Sequence, residues 1–166
     1  MTEAVPDFET ALATHEGLIR RIAASYEADG ARAEDLAQEI ALALWRALPR
    51  FRAESSLRTF VARIAHNRAV AHVVRAMRNP RLAELDETAR GEDAGPEEEA
   101  MTSSERRRLL GAVRRLPLGH RQVVTLFLEG FSMGEIAETL GLSENNAAVR
   151  MNRARVRLRE LLGASR

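Results

Sequence analysis

Apolar positions recur along this chain at alternating three- and four-residue steps, and that spacing predicts helices throughout. Phe8, Leu12, His15, Ile19, Ile22 and Tyr26 form the first stripe, with Asp7 placed as its N-cap and Asp29-Gly30 as its end. A second helix is expected from Ala33 to Leu48, stopping before Pro49. Leu36, Ile40, Ala43, Leu44 and Ala47 make its inner face, with Trp45 as a core anchor. Residues 49–56 read as a loop. A third helix from Leu57 to about Arg78 turns Phe60, Ile64, Ala71 and Val74 inward, with Leu57, Val61 and Ala65 close by. Its other positions are Arg58, Arg63, His66, Asn67, Arg68, His72, Arg75 and Arg78.

Residues 81–104 break the pattern. They carry Gly, Pro and a run of acids with little to bury, the composition of a flexible linker. Helical spacing resumes after Ser104, a candidate N-cap, with Leu109, Leu110, Val113 and Leu116 before Pro117. Leu118 to Glu129 forms the next helix, and Gly130 closes it. The expected fold is all-α: two small helical domains, 1–80 and 105–166, on either side of the linker.

The last stretch is the most specific. Ser132 and Glu135 make a capping box for one short helix carrying Ile136, Ala137 and Leu140. Gly141 suits the left-handed position after it, and Ser143 caps a second helix at once. Ala147, Met151, Ala154, Leu158 and Leu161 form one apolar stripe of that helix. Asn145, Asn146, Val149, Arg150, Asn152, Arg153 and Arg157 lie opposite. Two short-coupled helices, the second rich in Asn and Arg, are the pattern of a DNA-reading helix-turn-helix. Asn pairs with adenine in two places and Arg with guanine.

Charge sharpens this picture. The chain's net charge is only +1, but residues 81–104 hold 8 acids against 2 Arg, and residues 105–166 hold 12 Arg against 6 acids. The basic end points to a nucleic-acid contact. All 25 basic residues are Arg, which suits phosphate and base recognition. The third helix and the loop before it, with Arg50, Phe51 and Arg52, suit single-stranded nucleic acid: cations follow the phosphates while rings and pockets take unstacked bases. On the second helix, Asp35, Gln38, Glu39, Leu42 and Arg46 share a mixed face able to dock a partner helix. There is no Cys, so disulfides and thiolate metal sites are excluded. The four His form no ligand cluster, and no P-loop, dinucleotide motif or nucleophile elbow is present, so neither catalysis nor a cofactor is expected. No signal peptide or membrane-spanning run appears, and a cytoplasmic protein without membrane insertion is expected.

Two stretches resemble the sigma-70 family of bacterial transcription initiation factors, in its extracytoplasmic-function group. Residues 33–75, with DLAQE, LW, FR-ES-SLRTF and IAHN, resemble the family's second conserved region, and residues 109–162 its fourth. The resemblance implies that Asp35, Leu36, Gln38, Glu39, Leu42 and Arg46 dock to the beta-prime clamp of core RNA polymerase, with the beta flap as a further contact. It implies that Phe51, Arg52, Glu54, Ser55, Ser56, Arg63, Asn67 and Arg68 hold the melted minus-ten element. It implies that Ser143, Asn145, Asn146, Ala148, Val149, Arg150, Asn152 and Arg153 face the minus-thirty-five duplex. It further implies an anti-sigma partner. Phe60 stands where many members have Trp, Ala71 where Asp is common, and SENNAAV lacks a frequent Gly-Thr. The competing reading is a two-domain regulator that binds duplex DNA only and needs neither the DLAQE face nor the loop.

Overall fold

The computed structural model describes residues 5–79 and 97–164, with residues 97–102 described by their backbone alone. All regular structure among them is helical: α1 Phe8–Tyr26, α2 Gly30–Ala47, a 3-10 turn Leu48–Arg50, α3 Leu57–Arg78, α4 Glu97–Arg114, α5 Leu118–Leu128, α6 Met133–Leu140 and α7 Glu144–Gly163. No described helix is long and apolar enough to cross a membrane.

Local chemistry sets most of the boundaries. The Asp7 carboxylate accepts from the Thr10 N–H at 2.9 Å and starts α1. Asp29 does more than end α1: its carboxylate accepts from the Arg32 N–H at 2.8 Å and starts α2 at Gly30, three residues before the expected Ala33. The connection is therefore only Glu27–Asp29. Glu27 is buried there and accepts from His72 Nε2 at 2.6 Å and from the Asp29 N–H at 3.1 Å. Burial opposes its charge, but these bonds and the Arg32 guanidinium outweigh it and hold the carboxyl below its usual range. The turn between α1 and α2 is thereby fastened to α3.

Two sequence expectations about packing fail, each for its own physical reason. The buried line of α3 is Val61, Ala62, Ala65, Ala69 and Val73, while Phe60, Ile64 and Val74 are only half-buried and Ala71 is exposed. Small side chains let α3 lie close to its neighbours, so the inner face is marked by Ala rather than by bulk. Trp45 is 56% exposed, because Leu44, one position and about 100° away, takes the inward slot. The single Trp is a surface residue.

Residues 80–96, most of the expected linker, lie outside the described residues. Its remainder, 97–104, belongs to α4, so Ser104 is an interior residue of that helix and not its cap.

α1, α2 and α3 pack on one another around Ile19, Ile22, Leu36, Ile40 and Leu44. α4 to α7 pack around Val113, Leu116, Val123, Leu126, Ile136 and Met151. Each fully buried Leu or Ile stabilises by about 2 kcal/mol. The two groups also meet: α1 and α3 lie against α4, α5 and α6, and the buried apolar residues join in one continuous core.

Candidate nucleic-acid interface

α2 presents a mixed surface on its outer side. Asp35, Gln38, Glu39, Leu42 and Arg46 are all exposed, at helical steps of three, one, three and four. Leu36 is buried at 1% and belongs to the core, so its side chain does not reach that surface. Trp45 does reach it, beside Leu42, and periodicity could have shown this: position 45 falls off the Leu36–Ile40–Leu44 line. Arg75 of α3 pairs with Glu39 at 3.2 Å, an exposed contact contributing below about 1 kcal/mol.

The loop between α2 and α3 is held at both ends. Phe51 packs on Phe60 with ring centroids 4.9 Å apart, so its ring is a fixed half-buried platform. Ala53 adopts φ 56, a left-handed conformation costing a non-glycine residue about 1 kcal/mol. Ser56 caps α3, its Oγ accepting from the Thr59 N–H at 3.1 Å, which ties this side chain to a structural task. Arg52 and Glu54 are exposed, and Ser55 is half-buried. On α3, Asn67 and Arg68 are exposed at the edge of a groove of about 400 Å³ whose other lining is Ala43, Ala47, Ile64 and Ala71. Arg63 points elsewhere. Its guanidinium donates to the carbonyl of Glu138, in α6, at 3.0 Å.

His66 departs from the polar surface expected of it. It is buried at 2%, with Nδ1 2.8 Å from the Tyr26 hydroxyl, and burial pushes its pKa down to about 3.

The helix-turn-helix forms as its caps require. Ser132 Oγ accepts from the Glu135 N–H at 3.2 Å, and the Glu135 carboxylate accepts from the Ser132 N–H at 2.8 Å. Gly141 sits at φ 66, and Ser143 Oγ accepts from the Asn146 N–H at 3.1 Å to start α7. Ala147, Met151, Ala154 and Leu161 are buried and Leu158 half-buried, so α7 seats its stripe on α4, α5 and α6. That orientation exposes Asn145, Asn146, Val149, Asn152 and Arg153 together, with Ser143 at the tip. Arg150 and Ala148 are half-buried on the flanks. The exposed row is amide, apolar, amide and guanidinium, chemistry that can read base edges in a major groove.

Residues 12–79 match the sigma-70 region 2 family and residues 106–158 the sigma-70 region 4 family. The RNA polymerase sigma factor CarQ of Myxococcus xanthus is 34% identical over 158 residues, covering 94% of this chain and 89% of that one. The chain belongs to the sigma-70 family, in its extracytoplasmic-function group. The ECF RNA polymerase sigma factor ShbA of Streptomyces griseus is likewise 34% identical, over 77% of this sigma factor and 70% of its relative. Among solved structures, the sigma factor RpoE in complex with the anti-sigma factor NepR, from Bartonella quintana, shares the fold with a TM-score of 0.76 at 24% identity, covering 96% of this chain and 99% of that one. CnrH in complex with the cytosolic domain of CnrY gives 0.68 at 26% identity, covering 96% and 89%. In this sigma factor, therefore, the α2 face, the loop and α3 lie in region 2, and α7 lies in region 4.

Proposed function

We propose that this sigma factor divides promoter recognition between its two regions. The exposed α2 face, Asp35, Gln38, Glu39 and Leu42 with Trp45 and Arg46, docks on the clamp of core RNA polymerase, with the beta flap as a contact of region 4. The loop platform of Phe51 and the groove edge of Asn67 and Arg68 hold unstacked bases of the minus-ten element, while Arg52 and Arg63 follow its phosphates. α7 enters the minus-thirty-five major groove with Asn145, Val149, Asn152 and Arg153 toward the bases. The observation that carries this reading is that one chain presents both a docking face on α2 and a reading face on α7. A regulator of duplex DNA alone needs only the second.

The protein acts in the cytoplasm, without catalysis of its own. An anti-sigma protein is the expected regulator, since RpoE and CnrH were both solved with proteins bound, the former with a named anti-sigma factor. Run-off transcription with core polymerase and a genomic promoter library tests the function and reads the promoter at once. Absence of any sigma-dependent transcript, with duplex binding retained, favours the duplex-only regulator.

A further inference from the structure

We propose that Glu144 is the positioning residue of the reading helix: its carboxylate reaches back from the start of α7, rests on the first turn of α6 at Gly134, and sets the angle at which α7 presents its exposed row. This rests on the proposed reading of the minus-thirty-five duplex by α7. Gly134 is the second residue of α6 and Glu144 the first of α7. A Cβ added at Gly134 would lie 3.2 Å from Glu144 Oε1 and 3.9 Å from its Cδ, so the carboxylate occupies the space a side chain would need. Nothing in the backbone calls for glycine there. The glycines with positive φ are Gly130 and Gly141, and Gly134 is not among them. Gly lowers helix stability relative to Ala, so its presence in the first turn of so short a helix needs a reason, and room for Glu144 supplies one. The contact also suits the helix end. Ser132 and Glu135 satisfy each other's N–H groups, while those of Met133 and Gly134 have no acceptor within the helix. A carboxylate beside them is favoured by the positive end of the α6 dipole.

Two observations make this a matter of aim as well as of stability. The first is where α7 is anchored. Its buried stripe begins at Ala147, and Glu144, Asn145 and Asn146 before it are all exposed. Ser143 caps that turn from within α7, whereas Glu144 crosses to α6. Without that crossing the first turn can pivot about Ala147 and carry Asn145 and Asn146 with it. An amide pairs with adenine through two aligned hydrogen bonds, so a small pivot costs the contact. The second is charge. An exposed carboxylate at the tip of a helix that enters DNA is repelled by phosphates, so Glu144 works against general DNA affinity by its charge alone. Its contribution is to the orientation of its neighbours.

The test uses holoenzyme reconstituted from core polymerase and the full chain. Its probes are a promoter duplex recovered by run-off transcription and the same duplex with the upstream element scrambled. The ratio of the two affinities measures upstream discrimination. Both duplexes carry the same charge, so the ratio is blind to the general phosphate contribution. Glu144→Asp keeps the charge at the start of α7 and shortens its reach by one methylene, and Glu144→Ala removes both. Each is expected to lower discrimination about fivefold, with the thermal midpoint of the free protein nearly unchanged. Gly134→Ala is expected to raise that midpoint, because Ala is the better helix former. It should nevertheless lower discrimination about twofold by displacing the carboxylate. In the Glu144→Ala background the same change should cost nothing further, since no carboxylate is left to displace. Greater stability with poorer discrimination is a result that a merely structural contact would not give. Unchanged discrimination in E144D or in G134A, or an equal loss from G134A in both backgrounds, overturns the positioning role. A parent holoenzyme that does not distinguish the two duplexes removes the minus-thirty-five reading itself. A parent that does distinguish them upholds that reading whichever way Glu144 falls.

Discussion

The Tyr26 hydroxyl lies 2.8 Å from Nδ1 of His66, with the two rings edge to face at 82°. Burial keeps the phenol un-ionised and the imidazole neutral, while Nε2 has no hydrogen-bond partner among the described residues. A cation cannot form there without loss of packing, and a pH dependence follows. Unfolded His66 titrates near 6.5 and the folded residue at about 3, so between those values the unfolded state binds the extra proton. Stability is full above pH 6.5 and falls as the pH drops below it, by about 1.4 kcal/mol per unit once well below 6.5. Glu27, lowered from 4.5, contributes stability that is present above pH 4.5 and lost as the pH falls below it, outside the window from pH 7 to 5. Urea denaturation of the parent and His66→Gln from pH 7 to 5 isolates the histidine. The parent should lose about 1–2 kcal/mol more than the variant, and parallel slopes would rule the mechanism out.

The α2 face and the core line beneath it should separate cleanly. Asp35→Arg and Glu39→Arg are expected to weaken binding to core polymerase without changing the thermal midpoint. Leu36→Ala should instead cost about 2–5 kcal/mol of stability, because it leaves a cavity beneath the same helix. Binding and melting curves on all three variants check this. A D35R or E39R protein that binds normally counts against the docking assignment.

Trp45 supplies its own reporter. The only indole of the chain is 56% exposed, so free protein should emit at the long wavelengths of a hydrated indole. Docking through α2 should shift that emission to shorter wavelength. No shift on adding core polymerase would place the contact elsewhere.

The two kinds of DNA contact should fail differently. Asn152→Ala or Arg153→Ala should cost about 1–3 kcal/mol in upstream duplex recognition if a base contact is lost. Phe51→Ala or Asn67→Ala should leave that recognition intact and reduce promoter opening, read by permanganate reactivity with reconstituted polymerase. Normal opening by both variants at saturating polymerase would remove the loop and α3 from the melting step.

Helix capping should matter to region 4 through stability alone. Ser132→Ala removes one half of the capping box and should cost about 1 kcal/mol, or roughly 2–4 °C in a chain of this size. A scanning calorimeter reads this directly.

How much could be read in advance depended on whether short-range chemistry decided the matter. Ser132, Glu135, Gly141 and Ser143 act on neighbours three or four positions away, and the helix-turn-helix formed where they put it. Asp29 was legible as punctuation but not in its direction, since a carboxylate can end one helix and begin the next. The inner face of α3 was hidden because Ala62, Ala65 and Ala69 bury little area each and pack only once α1 lies across them. Arg63 and His66 sat in a polar list by composition, and their partners, Glu138 and Tyr26, are 75 and 40 positions away. No local pattern encodes such distances. The outer face of α2 was legible from its spacing, as was the burial of Leu36 on the inner stripe; Trp45 alone departs, because Leu44 beside it takes the inward slot.

Where the two groups of helices meet, Arg21 Nε donates to the Glu129 carboxylate at 2.8 Å across 108 positions, and that separation sets an order of events during synthesis. At about 5–20 residues per second, the acceptor leaves the ribosome roughly 5–20 s after the donor. In the later part of that interval, once Arg78 has emerged, α1, α2 and α3 can assemble while the flank that will meet α5 and α6 is bare. Each nascent chain therefore passes through a stage in which Arg58, Arg63 and the seam around Tyr26 are uncovered, before the residues that close over them have been made.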